Sequence, residues 1–370
     1  MFDSTLDFAA NNLNKDVIAH DHASEFPADS WSLCAEHGVH GWTMPEQQGG
    51  KAHSTLIACQ LFEATGQGCT DNGLTFALGA QVWSVQMPLL HFGSPEQINR
   101  YLPEMISGRS IGSFAITEHG SGSDAFALAT AASKEGDHYV LNGEKVMITL
   151  APASSVAIVF AVTNASAKQW GISAFLIDTD TPGCTLSANI PKMGLRSVPF
   201  GSITFDNCRI PASTLLGSEG AGSAIFNYSQ SLERCLVLAP QVGAMQRLLD
   251  LSVQFARRRT RSGESIGKHQ AVAHRISNMR IGLETSRLLL YKNAWLIDQG
   301  NANLMEAAIA KTQISEAFVS CCHDAIAIHG GAGYLTENEL ERQARDALGA
   351  TIYGGTVDIQ RNIIAGLLGL

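Results

Sequence analysis

One carboxylate stands out as a candidate proton acceptor. Glu233 lies in Leu232-Glu233-Arg234, and the apolar residues Leu236, Val237 and Leu238 that follow indicate a buried helix. A buried carboxylate has a raised pKa, which suits a base that must take a proton from carbon. A Glu-Arg pair on a helix is more often structural than catalytic, so the pair alone leaves both interpretations open.

Helices are predicted for residues 1 to 110. The clearest start signal is Ser94-Pro95-Glu96-Gln97, which offers an N-cap serine, a proline at the first helical position and a glutamine placed for a capping box. The helix that begins there is expected to end at Gly108. We expect an N-terminal α-helical domain over 1–110.

Short β-branched and alternating runs follow, which predict a middle β domain over 111–215. The runs include residues 155–163 and 202–205, and turn residues separate them. Asn142-Gly143 lies between two such runs and predicts a type I′ hairpin, because both residues accept the positive φ angles that this turn needs.

Helical periodicity returns after the loop 217–222 and predicts a C-terminal helix-bundle domain over 216–370. One helix of about 30 residues is expected to end at Gly300, and a second runs from about Asn303 to Ile328. Pro240 follows Glu233 closely and must kink the helix there or break its hydrogen bonds.

Six ordered stretches carry a resemblance to a known family. They resemble the signatures of the acyl-CoA dehydrogenases and span nearly the whole chain: Gly112–Asp124, Leu141–Lys145, Met193–Arg196, Arg259–Gln270, Ile328–Tyr334, and Gly355-Thr356 with Gln360-Arg361. The resemblance implies an α+β multidomain fold with an N-terminal helical domain, a middle β-barrel-like domain and a C-terminal four-helix bundle. It also implies FAD as cofactor and a homotetramer built as a dimer of dimers.

The resemblance further implies which residues hold the flavin. Phe114, Ile116 and Thr117 take the roles that present backbone amides and a hydroxyl to the ring, Thr149 lies at flavin N5, and Ser123 lies near the pyrophosphate or the substrate. Further implied contacts to the cofactor are Met147 and Thr356, and, for the pyrophosphate and adenosine of the neighbouring subunit, Arg259, Gln270, Gly330 and Gly331. A guanidinium suits a diphosphate, and paired glycines allow close backbone approach.

Gly354 occupies the position at which most family members carry their catalytic glutamate. In long-chain and isovaleryl-CoA dehydrogenases the base instead comes from a Glu-Arg pair on a bundle helix, and this chain resembles them. Glu233 is therefore expected to take the α-proton while the β-hydride passes to flavin N5. The Gly354 N–H is expected to hydrogen-bond the thioester carbonyl. Arg234, Tyr353, Gly355 and Ser123 are expected to contact the substrate.

Several residues depart from the family pattern. Met147 replaces a usual tryptophan and Leu150 a usual asparagine, while Ser262 and Ala327 stand where phenylalanine and glutamine are usual. In the family, these positions lie at the outer flavin face and at the subunit contact around FAD.

One branch of the family resembles this chain more closely in the sequence of several stretches. It oxidises acyl or aminoacyl groups tethered to carrier proteins, as prolyl-carrier-protein dehydrogenases do, and the matching stretches are Gly68–Leu74, Gln270–Ile276, Leu288–Tyr291 and Asp298–Gly300. Lys192 and Arg196 are candidates to meet an acidic carrier. The alternatives are an acyl-CoA dehydrogenase for short or branched CoA thioesters and a flavin oxidase or monooxygenase of the same fold. A scaffold that has lost its base is a further, non-enzymatic alternative.

Composition limits the partners and the location. Lys+Arg 25 against Asp+Glu 34 gives a net charge of -9, which argues against a nucleic-acid binder. The 8 cysteines form no C-x-x-C pair, so free thiols are expected and a metal site is not. No signal peptide or membrane span is predicted, which favours a cytoplasmic enzyme. The electron acceptor is expected to be an electron-transfer flavoprotein or oxygen.

Overall fold

The computed structural model describes all residues, 1–370. Helices occupy the two ends of the chain and strands its middle. In the first part, Ser94 and Gln97 form the expected capping box, since each side chain bonds the other residue's backbone N–H. The helices of this part are α1 (Phe2–Asn12), α2 (Val17–Ala23), α3 (Ala28–His37), α4 (Thr55–Gly68), α5 (Asn72–Gly79), α6 (Met87–Phe92) and α7 (Pro95–Ile106).

A π-helical segment, Ala80–Gln86, joins α5 to α6 without leaving the helical path. Its residues are buried, and several of them line the cavity described below. Widened π turns of this kind are rare and recur at functional sites.

The middle of the chain forms one mixed sheet with eight strands. The order is β6-β7-β3-β2-β4-β5-β8, and β1 pairs in parallel with β4. The strands are β1 (Gly112–Ala115), β2 (Ala131–Glu135), β3 (His138–Thr149), β4 (Val156–Val162), β5 (Ile172–Asp178), β6 (Cys184–Leu186), β7 (Phe200–Pro211) and β8 (Leu215–Leu216).

The hairpin expected at Asn142-Gly143 is wrong. These residues lie inside β3, where Asn142 pairs with Ala131 of β2 and the register against β7 shifts between Leu141 and Gly143. Gly143 has φ +145, and a Cβ there would lie 2.5 Å from Thr130 Oγ1, so glycine serves a bulge and a close approach here.

A two-residue turn with positive φ at both positions occurs elsewhere. Ser262 (φ 52) and Gly263 (φ 83) connect the short strands β9 (Thr260–Arg261) and β10 (Glu264–Ser265), as a type I′ turn requires. Ser262, one of the departures from the family pattern, is thus the first turn residue of a hairpin.

The last part of the chain contains the long helices of the bundle. The two predicted long helices are confirmed as Gln270–Asp298 and Leu304–His329. The helices are α8 (Gly222–Leu236), α9 (Ala239–Arg258), α10 (Gln270–Asp298), α11 (Leu304–His329), α12 (Glu339–Ala350) and α13 (Val357–Leu367). None of the helices in the structure combines the length and apolar character needed to cross a membrane.

The helical path breaks between α8 and α9, where Pro240 predicted a disturbance. Pro240 lies in the first turn of α9, a position that tolerates its missing N–H. With its amide oriented to satisfy its neighbours, Gln241 donates to the carbonyls of Val237 and Leu238 at 3.1 and 3.0 Å. The break therefore leaves these buried carbonyls paired.

Buried polar contacts join the three parts of the chain. Ser197 Oγ donates to Asp71 Oδ1 at 2.6 Å, and Asn72 Nδ2 donates to Gln343 Oε1 at 2.8 Å. The Leu195 N–H donates to Asp346 Oδ1 at 2.6 Å. Because these groups are buried, the contacts of Ser197 and Leu195 fix the middle part against the helices, and the Asn72 contact joins the two helical parts directly.

Candidate active site

A cavity lies where the three parts of the chain meet. It has a volume of about 540 Å³, and its walls come from the π-helical segment, β1, the end of β3, α8 and the loop before α13. Both apolar and polar side chains line this cavity, as they do in sites that enclose an organic ligand.

Glu233 points into this cavity from α8. Its carboxylate Oε2 accepts a hydrogen bond of 2.9 Å from Gln230 Nε2, one helical turn earlier. Burial raises the pKa of Glu233 above its ordinary value, while the nearby Ser84 hydroxyl, the Arg234 charge and the Gln230 amide act in the opposite direction. The structure thus provides a partly buried carboxylate whose pKa lies above the ordinary value for glutamate. A raised pKa at Glu233 is what the sequence predicted.

Arg234 lies behind the carboxylate and is 8% exposed. Its Nε donates to the Gly354 carbonyl at 3.4 Å, and its Nη2 makes a long contact of 3.5 Å with Gln230 Oε1. Nη1 has no hydrogen-bond partner. Burial lowers the pKa of Arg234 and the Glu233 charge opposes this shift, so the two residues stabilise each other's ionised form.

The loop before α13 forms the facing wall. Gly354 (φ 64) and Gly355 (φ 84) both have left-handed backbone, which glycine adopts at little cost. Gln360 Nε2 holds the loop by donating to both of their carbonyls, at 3.1 and 2.9 Å. Thr356 caps α13, because its hydroxyl accepts a hydrogen bond from the Ile359 N–H at 3.3 Å.

Tyr353 closes one end of the cavity. Its ring lies 4.4 Å from the ring of Phe76 on α5, and its hydroxyl donates to the Gln241 side-chain oxygen at 3.0 Å. Gln241 also donates to the backbone carbonyls at the break between α8 and α9. Its side chain therefore connects this break to the end of the cavity.

The opposite wall is built on β1 and β3. Lys145 of β3 is fully buried and its Nζ donates to Glu118 Oε1 at 2.6 Å and to the Ile116 carbonyl at 3.2 Å. Glu118 also accepts the N–H groups of Ala129 and Thr130, at 2.6 and 3.1 Å. This buried pair fixes the segment that follows β1, which leads into Gly120–Ser123.

Met147 lies at a second bulge in β3. The register against β7 shifts between Lys145 and Ile148, and Met147 has φ 56. Its side chain is 53% exposed and lines the cavity. The bulge therefore turns Met147 toward the cavity at the place where the family resemblance put a flavin contact.

The structure brings most of the predicted site residues to this one cavity. They are Phe114, Ile116, Thr117, Ser123, Met147, Thr149, Glu233, Arg234, Tyr353, Gly354, Gly355 and Thr356. The remaining four lie elsewhere. Arg259 lines a separate cleft with Arg258 and His329, Gln270 begins α10, and Gly330 and Gly331 follow α11.

Sequence reasoning missed several lining residues. Ser84, Phe226 and Gln230 line the cavity together with Glu233. Gln230 was detectable in principle, because three-residue spacing on a helix places it beside Glu233. Ser84 and Phe226 carried no such signal, since only the packing of the π-helical segment and α8 brings them to the cavity.

Lys192 is not the free surface charge that an acidic carrier would require. Its Nζ donates to the Val198 carbonyl at 2.7 Å and lies 5.4 Å from the centre of the Phe200 ring. Burial lowers the pKa of Lys192 to about 8. Arg196 is also engaged, because its Nε donates to the carbonyls of Lys192 and Met193 at 3.1 and 3.2 Å.

Comparison with known protein families agrees with this architecture. The chain matches the acyl-CoA dehydrogenase N-terminal domain over residues 1–109, the middle domain over 113–208 and the C-terminal domain over 220–368. It belongs to the acyl-CoA dehydrogenase family.

The most similar proteins include carrier-protein enzymes. An L-prolyl-[peptidyl-carrier protein] dehydrogenase of Pseudomonas fluorescens is 38% identical over 350 residues, covering 94% of this chain and 92% of that protein. The crystal structure of the prolyl acyl carrier protein oxidase AnaB matches with a TM-score of 0.98 and 43% identity, covering 100% of this chain and 98% of that one. PigA with FAD and proline matches with a TM-score of 0.97 and 36% identity, covering 100% and 96%.

The chain is an FAD-dependent oxidoreductase. The residues present fit a flavin ring, because Phe114, Ile116 and Met147 offer apolar contact while the Thr117 and Thr149 hydroxyls offer polar contact to its edges. Glu233 and Gly354 belong to the same cavity, so substrate bound between them would also lie beside the ring.

Proposed function

We propose that this enzyme introduces an α,β double bond into an aminoacyl thioester carried by the phosphopantetheine arm of a carrier protein. The observation that carries the proposal is the placement of Glu233 in the same cavity as the predicted flavin wall, facing the Gly354 loop. The similarity to proteins named as prolyl-carrier-protein dehydrogenases supports the substrate class.

Glu233 removes the α-proton in this proposal. A hydrogen beside a thioester is weakly acidic, so its removal needs a positioned carboxylate with raised basicity. The raised pKa of Glu233 supplies that basicity. When bound, FAD supplies the acceptor for the hydride that leaves the β-carbon.

Gly354 stabilises the negative charge that develops on the thioester oxygen. Its N–H has no backbone carbonyl as hydrogen-bond partner, so the donor remains available to the substrate. Donors fixed in advance at the place where charge develops contribute strongly to rate. Arg234, Tyr353, Gly355 and Ser123 complete the substrate contacts.

Self-assembly is part of the proposal. Ile281, Leu288 and Trp295 are 62%, 68% and 51% exposed and recur every seven residues on α10, so they form one apolar stripe. An exposed stripe of this kind favours contact with a second copy. We propose a homotetramer in which Arg259, Gln270, Gly330 and Gly331 hold the FAD phosphates and adenosine of a neighbouring subunit.

The remaining partners are proposed on chemical grounds. Electrons leave to an electron-transfer flavoprotein or to oxygen. The 8 cysteines are free thiols, which suits a reducing compartment such as the cytoplasm.

The test is anaerobic incubation with matched thioesters. Prolyl-carrier protein and short or branched acyl-CoA esters are compared by bleaching of the flavin absorbance and by mass spectrometry of the thioester. The proposal predicts bleaching and the loss of two hydrogens from the carrier-bound aminoacyl group, or four if a second oxidation follows. Turnover of CoA esters alone would contradict the carrier-protein assignment.

A further inference from the structure

We infer that Ser84 and Gln230 bind the α-amino group of the substrate and thereby select aminoacyl over plain acyl thioesters. This inference rests on the proposed function, because it names the residues that recognise one part of the proposed substrate. Both residues line the cavity together with Glu233.

Ser84 is a buried hydroxyl that makes no hydrogen bond of normal geometry. It is 4% exposed and belongs to the π-helical segment, and its hydroxyl lies near enough to Glu233 to oppose the rise of that residue's pKa. Buried polar groups are nearly always paired. A hydroxyl that lines a ligand cavity beside the base and has no well-formed hydrogen bond is available to a polar group of the ligand.

Gln230 has one end engaged and the other largely free. Its Nε2 donates to the Glu233 carboxylate at 2.9 Å, which fixes the amide plane. Its Oε1 receives only the 3.5 Å contact from Arg234, although an amide oxygen accepts two hydrogen bonds. A further donor can thus be accommodated at this oxygen.

The reaction itself places the amino group near these residues. In an aminoacyl thioester the nitrogen is bonded to the carbon that loses its proton, so it must lie close to the base that removes that proton. A base acts within about 3 Å of the atom it deprotonates. Ser84 and Gln230 are uncharged polar side chains next to Glu233, and the apolar side chains of Phe76, Ala80 and Val85 line the same cavity.

A neutral secondary amine suits this pair of side chains. It has one N–H, which Gln230 Oε1 accepts, and one lone pair, to which the Ser84 hydroxyl donates. Glu233 and Arg234 lie beside this pair with opposite charges, so their effects on the protonation of the amine offset each other. An acyl group without nitrogen leaves Ser84 unpaired, and sites of this kind discriminate against such analogues.

The test uses two carrier-bound substrates that differ only in the nitrogen: the prolyl thioester and the cyclopentane-carbonyl thioester. Ser84→Ala should lower kcat/KM for flavin reduction by the prolyl thioester roughly three- to tenfold more than that for the cyclopentane-carbonyl thioester, because any change in the Glu233 pKa affects both substrates alike. Gln230→Leu should slow both substrates, because Glu233 loses a hydrogen bond, and should slow the prolyl thioester more.

Val85→Ala is the matched control, since this cavity residue has no polar atom in its side chain and should affect both substrates equally. A second measurement separates binding from turnover: in a Glu233→Gln background, Ser84→Ala should weaken binding of the prolyl carrier only. Equal losses for both substrates in Ser84→Ala and Gln230→Leu would overturn this inference and leave the proposed function intact. Failure of the wild-type enzyme to reduce its flavin with either carrier-bound thioester would overturn both.

Discussion

Arg234 Nε donates a hydrogen bond of 3.4 Å to the Gly354 carbonyl, so the residue directly after the candidate base contacts the loop that faces it. A Cβ built on Gly354 would lie 3.9 Å from Arg234 Cα. Side chains at positions 233 and 354 would therefore reach the same part of the cavity. We therefore expect a carboxylate at either position to reach the same substrate proton.

The pH dependence of flavin reduction should report the environment of Glu233. Because burial raises the pKa of Glu233 and the base must be ionised, the limiting rate should increase with pH through an inflection above the ordinary glutamate value of 4.5. Anaerobic stopped-flow measurements across pH test this. The substrate amine is identified by repeating the series with the cyclopentane-carbonyl thioester. A rate that does not change with pH for either substrate would argue against a glutamate base.

Gly354→Ala should destabilise the protein by about 1 kcal/mol, because an L side chain at φ 64 is strained. Gly366→Ala is a suitable control, since Gly366 lies in α13 without a positive φ, and a Cβ added there would meet no atom within 4 Å. Urea unfolding should show a loss for the first variant and none for the second. A Gly354→Ala protein as stable as the wild type would contradict the strain assigned to this loop.

Glu118→Gln should cost about 3–5 kcal/mol of stability, because it leaves the buried Lys145 ammonium without its charge partner. It should also weaken FAD retention during gel filtration, since the pair fixes the segment after β1. Glu104→Gln removes an exposed carboxylate from its pair with Arg109 and should change little. Similar unfolding midpoints for the two variants would show that the buried pair is unimportant.

Asp346 should make stability depend on pH near neutrality. Burial raises the pKa of Asp346 from 3.8 to about 7, so the folded state binds a proton that the unfolded state has released between these values. The free energy of unfolding should fall as pH rises toward 7, by at most about 1.4 kcal/mol per pH unit from this group. Asp346→Asn should flatten the decline between the unfolded value of 3.8 and about pH 7. An unchanged slope in urea unfolding would reject this assignment.

Local patterns predicted the elements well wherever one signal dominated. The capping box at Ser94 and the two long bundle helices follow from caps and periodicity alone, and the structure confirms them. The hairpin predicted at Asn142-Gly143 was wrong because residues that accept a positive φ occur both in tight turns and in β-bulges. Only the pairing of β3 with both β2 and β7 distinguishes these outcomes.

Leu150, one of the departures from the family pattern, lies in left-handed backbone. Leu150 has φ 67 and is buried, so a leucine occupies left-handed backbone that asparagine tolerates better. Burial of its apolar side chain offsets part of that cost. The sequence showed the exchange but carried no sign of the backbone conformation behind it.

The candidate site was predictable in part. Glu233 and the Gly354 loop were found because motif order placed them, and the structure brings both to one cavity. Ser84 was not found, because its approach to Glu233 depends on the packing of the π-helical segment against α8. Long-range contacts of this kind leave no periodic signal in a single sequence.

Replacement of Glu233 tests the account most directly. Glu233→Gln keeps the size of the side chain and its ability to bond Gln230, so the protein should fold, retain FAD and bind the carrier-bound substrate. Its flavin should fail to bleach when mixed anaerobically with prolyl-carrier protein, with the rate of reduction lowered by at least about 100-fold. Bleaching at the wild-type rate would show that another group removes the α-proton and would contradict the assignment of Glu233 as the base.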